Sequence, residues 1–266
     1  MSNLVIVEKS DGVLTMTLND PEKRNPVSGA DMVDAIIDAL EAAEADPDIR
    51  CIVLTGNGSA FSSGGDLKTM LSPGGLADEN PVKTRLNYKR GIQRIPLAFD
   101  ALELPVVAAV NGPAIGAGLD LALMCDIRVA ARSARFAESF VKVGIVPGDG
   151  GAFLLPRVVG EAKAAEMALT GDMLDAQEAL GCGLVSKVVE DDDLLPTART
   201  IAEKIASNPP HAVRMTKRLL KLSRSAGLAE ILDVSASMQA LAHTTQDHRE
   251  AVDAFLSKRK PEYKGR

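Results

Sequence analysis

Only three cysteines and three histidines occur in 266 residues, which leaves little material for a metal centre or a disulfide framework. Cys51, Cys125 and Cys182 are odd in number, far apart and set among apolar neighbours, a pattern that predicts buried thiols. His211, His243 and His248 all fall near the C-terminal end, where surface or capping roles are expected. No Gly-x-Ser-x-Gly elbow surrounds Ser62 or Ser63, so a serine nucleophile is not indicated. No stretch approaches the ~20 consecutive apolar residues of a membrane span. Met1 to Glu8 is too short an apolar run for a signal peptide, and a cytoplasmic chain is expected. A formal charge of −6 argues against a nucleic-acid partner. What is abundant is apolar material: 46% hydrophobic residues against 25% charged is enough for a large core.

Two glycine-rich turns carry most of the functional information. Ile52-Val53-Leu54 leads into Phe61-Ser62-Ser63-Gly64-Gly65-Asp66-Leu67, and Val106 to Val110 leads into the segment Asn111 to Asp120, with glycines at 112, 116 and 118. Small residues after a strand let a ligand approach the main chain, and two convergent N–H donors make an oxyanion hole. The commoner meanings fail. A dinucleotide fingerprint needs a third glycine three residues after Gly118, where Leu121 stands. A phosphate-cradling loop should end Gly-Lys-Ser/Thr, but the first turn continues Gly65-Asp66-Leu67-Lys68, with an acid where phosphate would sit.

Strand-like and helical patterns alternate to about residue 190, after which helices dominate, which predicts an α/β chain. Val13 to Leu18, Ile49 to Thr55, Val106 to Asn111, Ile127 to Ala131 and Ser186 to Val189 are the strand candidates. Ser28 is expected to cap a helix whose apolar face is Met32, Ile36, Ile37 and Leu40. Ser72 to Pro81 reads as a mobile loop over a pocket, and Asp191-Asp192-Asp193 as a solvated turn that starts a helix. Pro209-Pro210 and Gly227 divide the helical tail. Its segment with Leu228, Ile231, Leu232, Val234, Met238 and Leu241 has more apolar surface than a small appendage could bury, so an oligomer is expected.

Five segments in order resemble the crotonase superfamily, the enoyl-CoA hydratase/isomerase group. They are Asn19 to Pro26 (N-x-P-x-x-x-N), Phe61 to Leu67 (F-x-x-G-x-D), Asn111 to Asp126 (N-G-x-x-x-G-x-G running to C-D), Gly144 to Gly151 (G-x-x-P-x-x-G-G) and Phe255 to Arg259 (F-x-x-K-R). The resemblance implies a ββα spiral core over residues 1–195, a C-terminal helical oligomerisation region over 196–266, and a homotrimer or homohexamer. It implies an acyl-CoA thioester as substrate, with coenzyme A arriving as part of it and no cofactor or metal.

By position, the resemblance carries the two amide donors onto Gly65 and Ala117, and the first family glutamate onto Asp120, one helical turn from Ala117, which makes Asp120 the expected acid–base residue, its alternative being stabilisation of its own helix start. The second glutamate position is Phe140, which exchanges no proton. Glu138 and Asp149 are the acids that could compensate. Their bland readings are a solvent-facing or ion-paired acid for Glu138 and a turn cap for Asp149. Lys23, Arg24, Ser63, Asp66, Leu67, Lys68, Phe140, Phe255 and Lys258 are the candidate substrate contacts. One carboxylate suffices to move a proton between carbons of an enolate, whereas hydration also needs a positioned water, so isomerisation fits these residues better than standard hydration. A thioester or carbon–carbon hydrolase on the same fold, with Asp149 or Asp120 activating water, and a non-catalytic acyl-CoA-binding scaffold remain open.

Overall fold

A computed structural model of the chain describes residues 4–70, 72 and 74–266. The first three residues of the segment weighed as a signal peptide, and Pro73 in the expected loop, lie outside the described residues.

The chain opens with an antiparallel hairpin, β1 (Val5–Ser10) and β2 (Val13–Leu18), turned by Asp11-Gly12, both with positive φ. The helix α1 (Ala30–Ala45) follows and buries Met32, Ile36, Ile37 and Leu40, the face its apolar spacing predicts. Ser28 does not cap it. Gly29 is the N-cap, and the Ser28 hydroxyl instead accepts the Asp66 N–H at 2.9 Å, so a residue read as local punctuation ties two distant turns together.

β3 (Cys51–Gly56) is buried at every position. Then come α2 (Leu67–Met70), α3 (Pro81–Arg90), α4 (Arg94–Ala101) and a second wholly buried strand, β4 (Val106–Val110). Continuous apolar runs of this kind suit strands covered on both faces. β5 (Ala114–Ile115), α5 (Ala117–Met124), β6 (Ile127–Ala131) and β7 (Arg135–Ala137) complete the region around the second turn. After them run α6 (Gly151–Val159), α7 (Glu161–Thr170), β8 (Met173–Asp175), α8 (Ala176–Gly181) and β9 (Lys187–Val189).

The strands form two sheets. A six-stranded sheet has the order β1-β2-β3-β4-β6-β9, parallel from β2 onward; a three-stranded sheet has the order β5-β7-β8. Asp191 to Asp193 form the expected solvated turn, a single 3-10 turn in which Asp191 accepts the Ser133 N–H. Four helices follow: α9 (Leu194–Ala206), α10 (Pro210–Leu222), α11 (Leu228–Thr244) and α12 (Gln246–Leu256). α9 packs Leu194, Ala198, Ala202 and Ala206 on the sheet face lined by Val13, Cys51, Val53, Val107, Ala109 and Val129. The opposite face carries the larger core with α1, α4 and α5. Cys51 and Cys125 are buried free thiols, pushed up to about 12 by burial, while Cys182 is partly exposed.

Candidate active site

The two glycine turns are locked against each other by main-chain bonds. Ser62 N–H donates to Pro113 O and Ile115 N–H donates to Ser62 O, each at 3.1 Å, a two-residue fragment of parallel sheet between the turns. Glycine permits the contact: a Cβ on Gly64 would strike Ile115 O and one on Gly118 would strike Ser62 O, both immovable backbone atoms. Two asparagines hold the first turn from either side. Buried Asn25 donates its amide to Asn57 O and Ala60 O at 2.9 Å, and Asn111 accepts from Gly56 N–H while donating to Gly58 O.

The outcome is that Gly65 and Ala117 line one small cavity of about 110 Å³. Among the described residues neither amide finds an intramolecular acceptor. Ala117 is the first residue of α5, where orphan N–H groups and the helix dipole favour an anion. Gly116, its N-cap, has φ 52° and ψ −120°, a conformation that aims the chain into the helix while its own N–H donates to Ala137 O at 2.8 Å.

Of the sequence-predicted acids, Asp149 lines this cavity, together with Phe140, Ser63 and Leu67. Asp149 is 4% exposed and one of its carboxyl oxygens has no hydrogen-bond donor. It is not a cap, since Gly150 occupies the N-cap of α6 and no side chain bonds there. Burial pushes its carboxyl up to about 6.

Asp120 and Glu138 lie behind it, both fully buried. A Cβ placed on Gly151 would collide with Glu138 Oε1 and Asp120 Oδ1 together, so the two carboxyls meet over that glycine. Glu138 is thus neither solvent-facing nor ion-paired: among the described residues no donor satisfies any of the four oxygens. The Gly151 amide leans toward Asp120 without completing a bond, and opposes only weakly the large upward displacement caused by burial and then by Glu138 and Asp149. Glu138 is raised to about 7, chiefly by burial. Among the described residues no cluster of His, Cys, Asp or Glu is arranged to hold a metal ion.

Phe140 sits with its ring against Gly116, its nearest carbon 3.6 Å from where a Cβ would stand, and closes one wall. The cavity opens into a vestibule of about 910 Å³ sharing Leu67, Met70, Tyr88, Val143 and Ile145 with it. Arg85 and Lys89 stand at the vestibule, as do Thr84 and Gln93. Thr84, Arg85, Tyr88 and Lys89 of α3, and Gln93 at the start of α4, escaped sequence reading. The signal was present: the Asn80 side chain accepts the Val82 N–H and Pro81 takes the first helical position, a helix start rather than the continuation of a loop.

Asp66 caps its own turn by accepting the Lys68 N–H at 3.0 Å. Lys23, Arg24 and Lys68 are exposed near the first turn, Lys23 facing Asp20 at 3.6 Å. Phe255 and Lys258 line neither the cavity nor the vestibule; Phe255 is 83% exposed. Asp126, the acid ending the second glycine segment, is structural: it pairs with buried Lys217 of α10 at 2.8 Å.

The profile of the enoyl-CoA hydratase/isomerase family matches residues 8–266. The 1,2-epoxyphenylacetyl-CoA isomerase of Escherichia coli (strain K12) is 38% identical over 267 residues, covering 100% of both chains. The 2,3-dehydroadipyl-CoA hydratase of the same strain is 38% identical over 266 residues, again covering 100% of both. A crystal structure of enoyl-CoA hydratase from Bacillus anthracis superposes with a TM-score of 0.92 at 34% identity, covering 99% of this chain and 100% of that one.

Proposed function

Because the chain belongs to the enoyl-CoA hydratase/isomerase family of the crotonase superfamily, we propose that it isomerises the double bond of an enoyl-CoA thioester, with Asp149 and Asp120 as its acid–base groups. The relatives do not choose the reaction, since two of equal identity are called an isomerase and a hydratase. The residues do. The observation that carries the proposal is the enclosure of Gly65, Ala117 and Asp149 in one cavity, with phenylalanine where the second glutamate would be.

In this reading the thioester oxygen lies between the amides of Gly65 and Ala117. Removal of a proton from the acyl chain drives charge onto that oxygen, and the two N–H groups and the α5 dipole hold it. One such donor contributes on the order of 3 kcal/mol. Asp149, ionised and poorly solvated, takes the proton and returns it to another carbon of the same bound enolate. Asp120 stands behind it as the second member of the acid–base set. Phe140 excludes the water that hydration would need and favours an apolar or ring-bearing acyl group. The vestibule receives the pantetheine arm, with Arg85, Lys89, Lys23, Arg24 and Lys68 as the cations near the coenzyme A phosphates; Ser63, Asp66 and Leu67 border its path. The exposed faces of α11 and α12, including Phe255, together with Lys258 just beyond α12, are assigned to contacts between copies in a trimer or a pair of trimers.

The test is a panel of straight-chain, branched and aromatic enoyl-CoA thioesters, followed by mass spectrometry, proton NMR and a thiol assay. Isomerisation leaves the mass unchanged and moves the vinylic protons; hydration adds one water; hydrolysis frees thiol. A mass-neutral shift that falls by about 10²–10⁴ in Asp149→Asn supports the proposal. Water addition as the main reaction, or undiminished turnover in that variant, would replace it. Binding of every thioester without conversion of any would make the chain a scaffold.

A further inference from the structure

Glu138, paired with Asp120, is more than isomerisation by Asp149 and Asp120 requires. Glu138 follows β7, Asp120 lies on α5, and both press on Gly151 at the start of α6, so three elements converge on two acids. All four oxygens are buried, and among the described residues no lysine, arginine, histidine, hydroxyl or amide bonds to them. The charged group facing both is Asp149, itself faced by the Tyr88 phenol. Two ionised carboxyls pressed together in a buried site repel strongly, before any cost of burial. With no cation to offset that repulsion, two acids in this position hold a proton between them.

Resting on the reading above, in which Asp149 works on the substrate, we infer that Glu138 is a positioning residue that shares one proton with Asp120. The pair then carries one negative charge instead of two, and Asp149 is left to ionise against the cavity. The proton is enclosed by α5, β7 and α6, and glycine at 151 is what leaves room for the two carboxyls to touch.

Infrared spectroscopy of the full chain, without any thioester, reads this proton directly as the carbonyl stretch of a protonated carboxyl, identified by its shift in D₂O. At about pH 7.5 ordinary carboxyls are ionised. The wild type is expected to keep one protonated carboxyl per chain there, E138Q to lose it and D149N to retain it. As a kinetic readout, E138Q, which leaves ionised Asp120 with the same single charge as the pair, is expected to keep the acid limb of kcat/KM in place, whereas E138A, which opens the space beside the pair to water that solvates ionised Asp149, is expected to move it down by about one pH unit, a tenfold change on that limb. A wild type with no protonated carboxyl at that pH overturns the inference even where a variant fails to fold, and so does a band that survives in both E138Q and D120N. Because the infrared measurement needs no substrate, failure of the proposed reaction would appear in the thioester panel alone and leave this result standing.

Discussion

Asp149 and Phe140 line the same cavity, and in the proposed isomerisation they divide its chemistry, one as the proton acceptor and the other as an apolar wall. The acceptor must be ionised to work. Since burial raises Asp149 to about 6, its active form is lost as pH falls through that value, about two units above the range of an exposed aspartate. The kcat/KM of the mass-neutral reaction is therefore expected to rise tenfold per pH unit up to about pH 6 and then level. A stopped pH series on one converted thioester checks this, and an acid limb near pH 4 would remove Asp149 from the acceptor role. The residue scale is also where sequence reading erred most. Glu138 follows Phe136-Ala137 and precedes Ser139-Phe140, a short stretch with no clear periodicity to say which side is buried; the approach of Gly151 and Asp120 from other elements decides it.

At the scale of elements, the site depends on how α5 is launched. Gly116 combines positive φ with a ψ of −120°, a region nearly closed to any residue with a Cβ. There is room for a methyl group, since the nearest atoms are those of Phe140 at 3.6 Å or more, so strain and not collision sets the cost. Gly116→Ala is expected to lose about 1–3 kcal/mol of stability and to lower kcat more than it raises KM, because it re-aims the Ala117 amide. Urea denaturation beside steady-state kinetics separates the two effects. Equal stability with unchanged kcat would show that the amide direction is not set by this cap. Elements with long apolar patterns were legible in advance: β2, β3, β4 and β6 lie where periodicity put them, within two residues at each end, and α1 buries the face its apolar spacing gave. α3 shows no such pattern, because its ten residues bury no side chain and carry no apolar stripe, so that its Asn80-Pro81 start was the signal it offered.

For the whole molecule, the telling fact is that α11 runs seventeen residues without burying one of them, although it carries Leu228, Ile231, Leu232, Val234, Met238 and Leu241. Leu232 is 59% exposed and Leu241 63%. Contiguous apolar surface of this kind marks an association face. Light scattering at micromolar concentration is expected to give a mass of three or six chains, and Leu232→Asp to lower it to one. A wild-type mass of one chain would contradict the assignment. Among the described residues no helix is long and apolar enough to cross a membrane, so this face is not read as a membrane span.

By itself the sequence determined the α/β class, the two glycine turns, the family and the substrate class those turns serve, because each rests on residues close together in the chain: a strand's apolar run, a glycine where a Cβ is excluded, a helix-opening alanine. Tertiary structure alone decided which acid faces the cavity. Asp120, Glu138 and Asp149 are separated by 18 and 11 residues in the chain, and spacing along a backbone does not say which of three carboxyls is presented to a ligand and which two are pressed together. That is settled by the packing of α5, β7 and α6 around Gly151, which presses Asp120 and Glu138 together and leaves Asp149 at the cavity, because burial and neighbouring charge, not residue type alone, set how readily a carboxyl ionises.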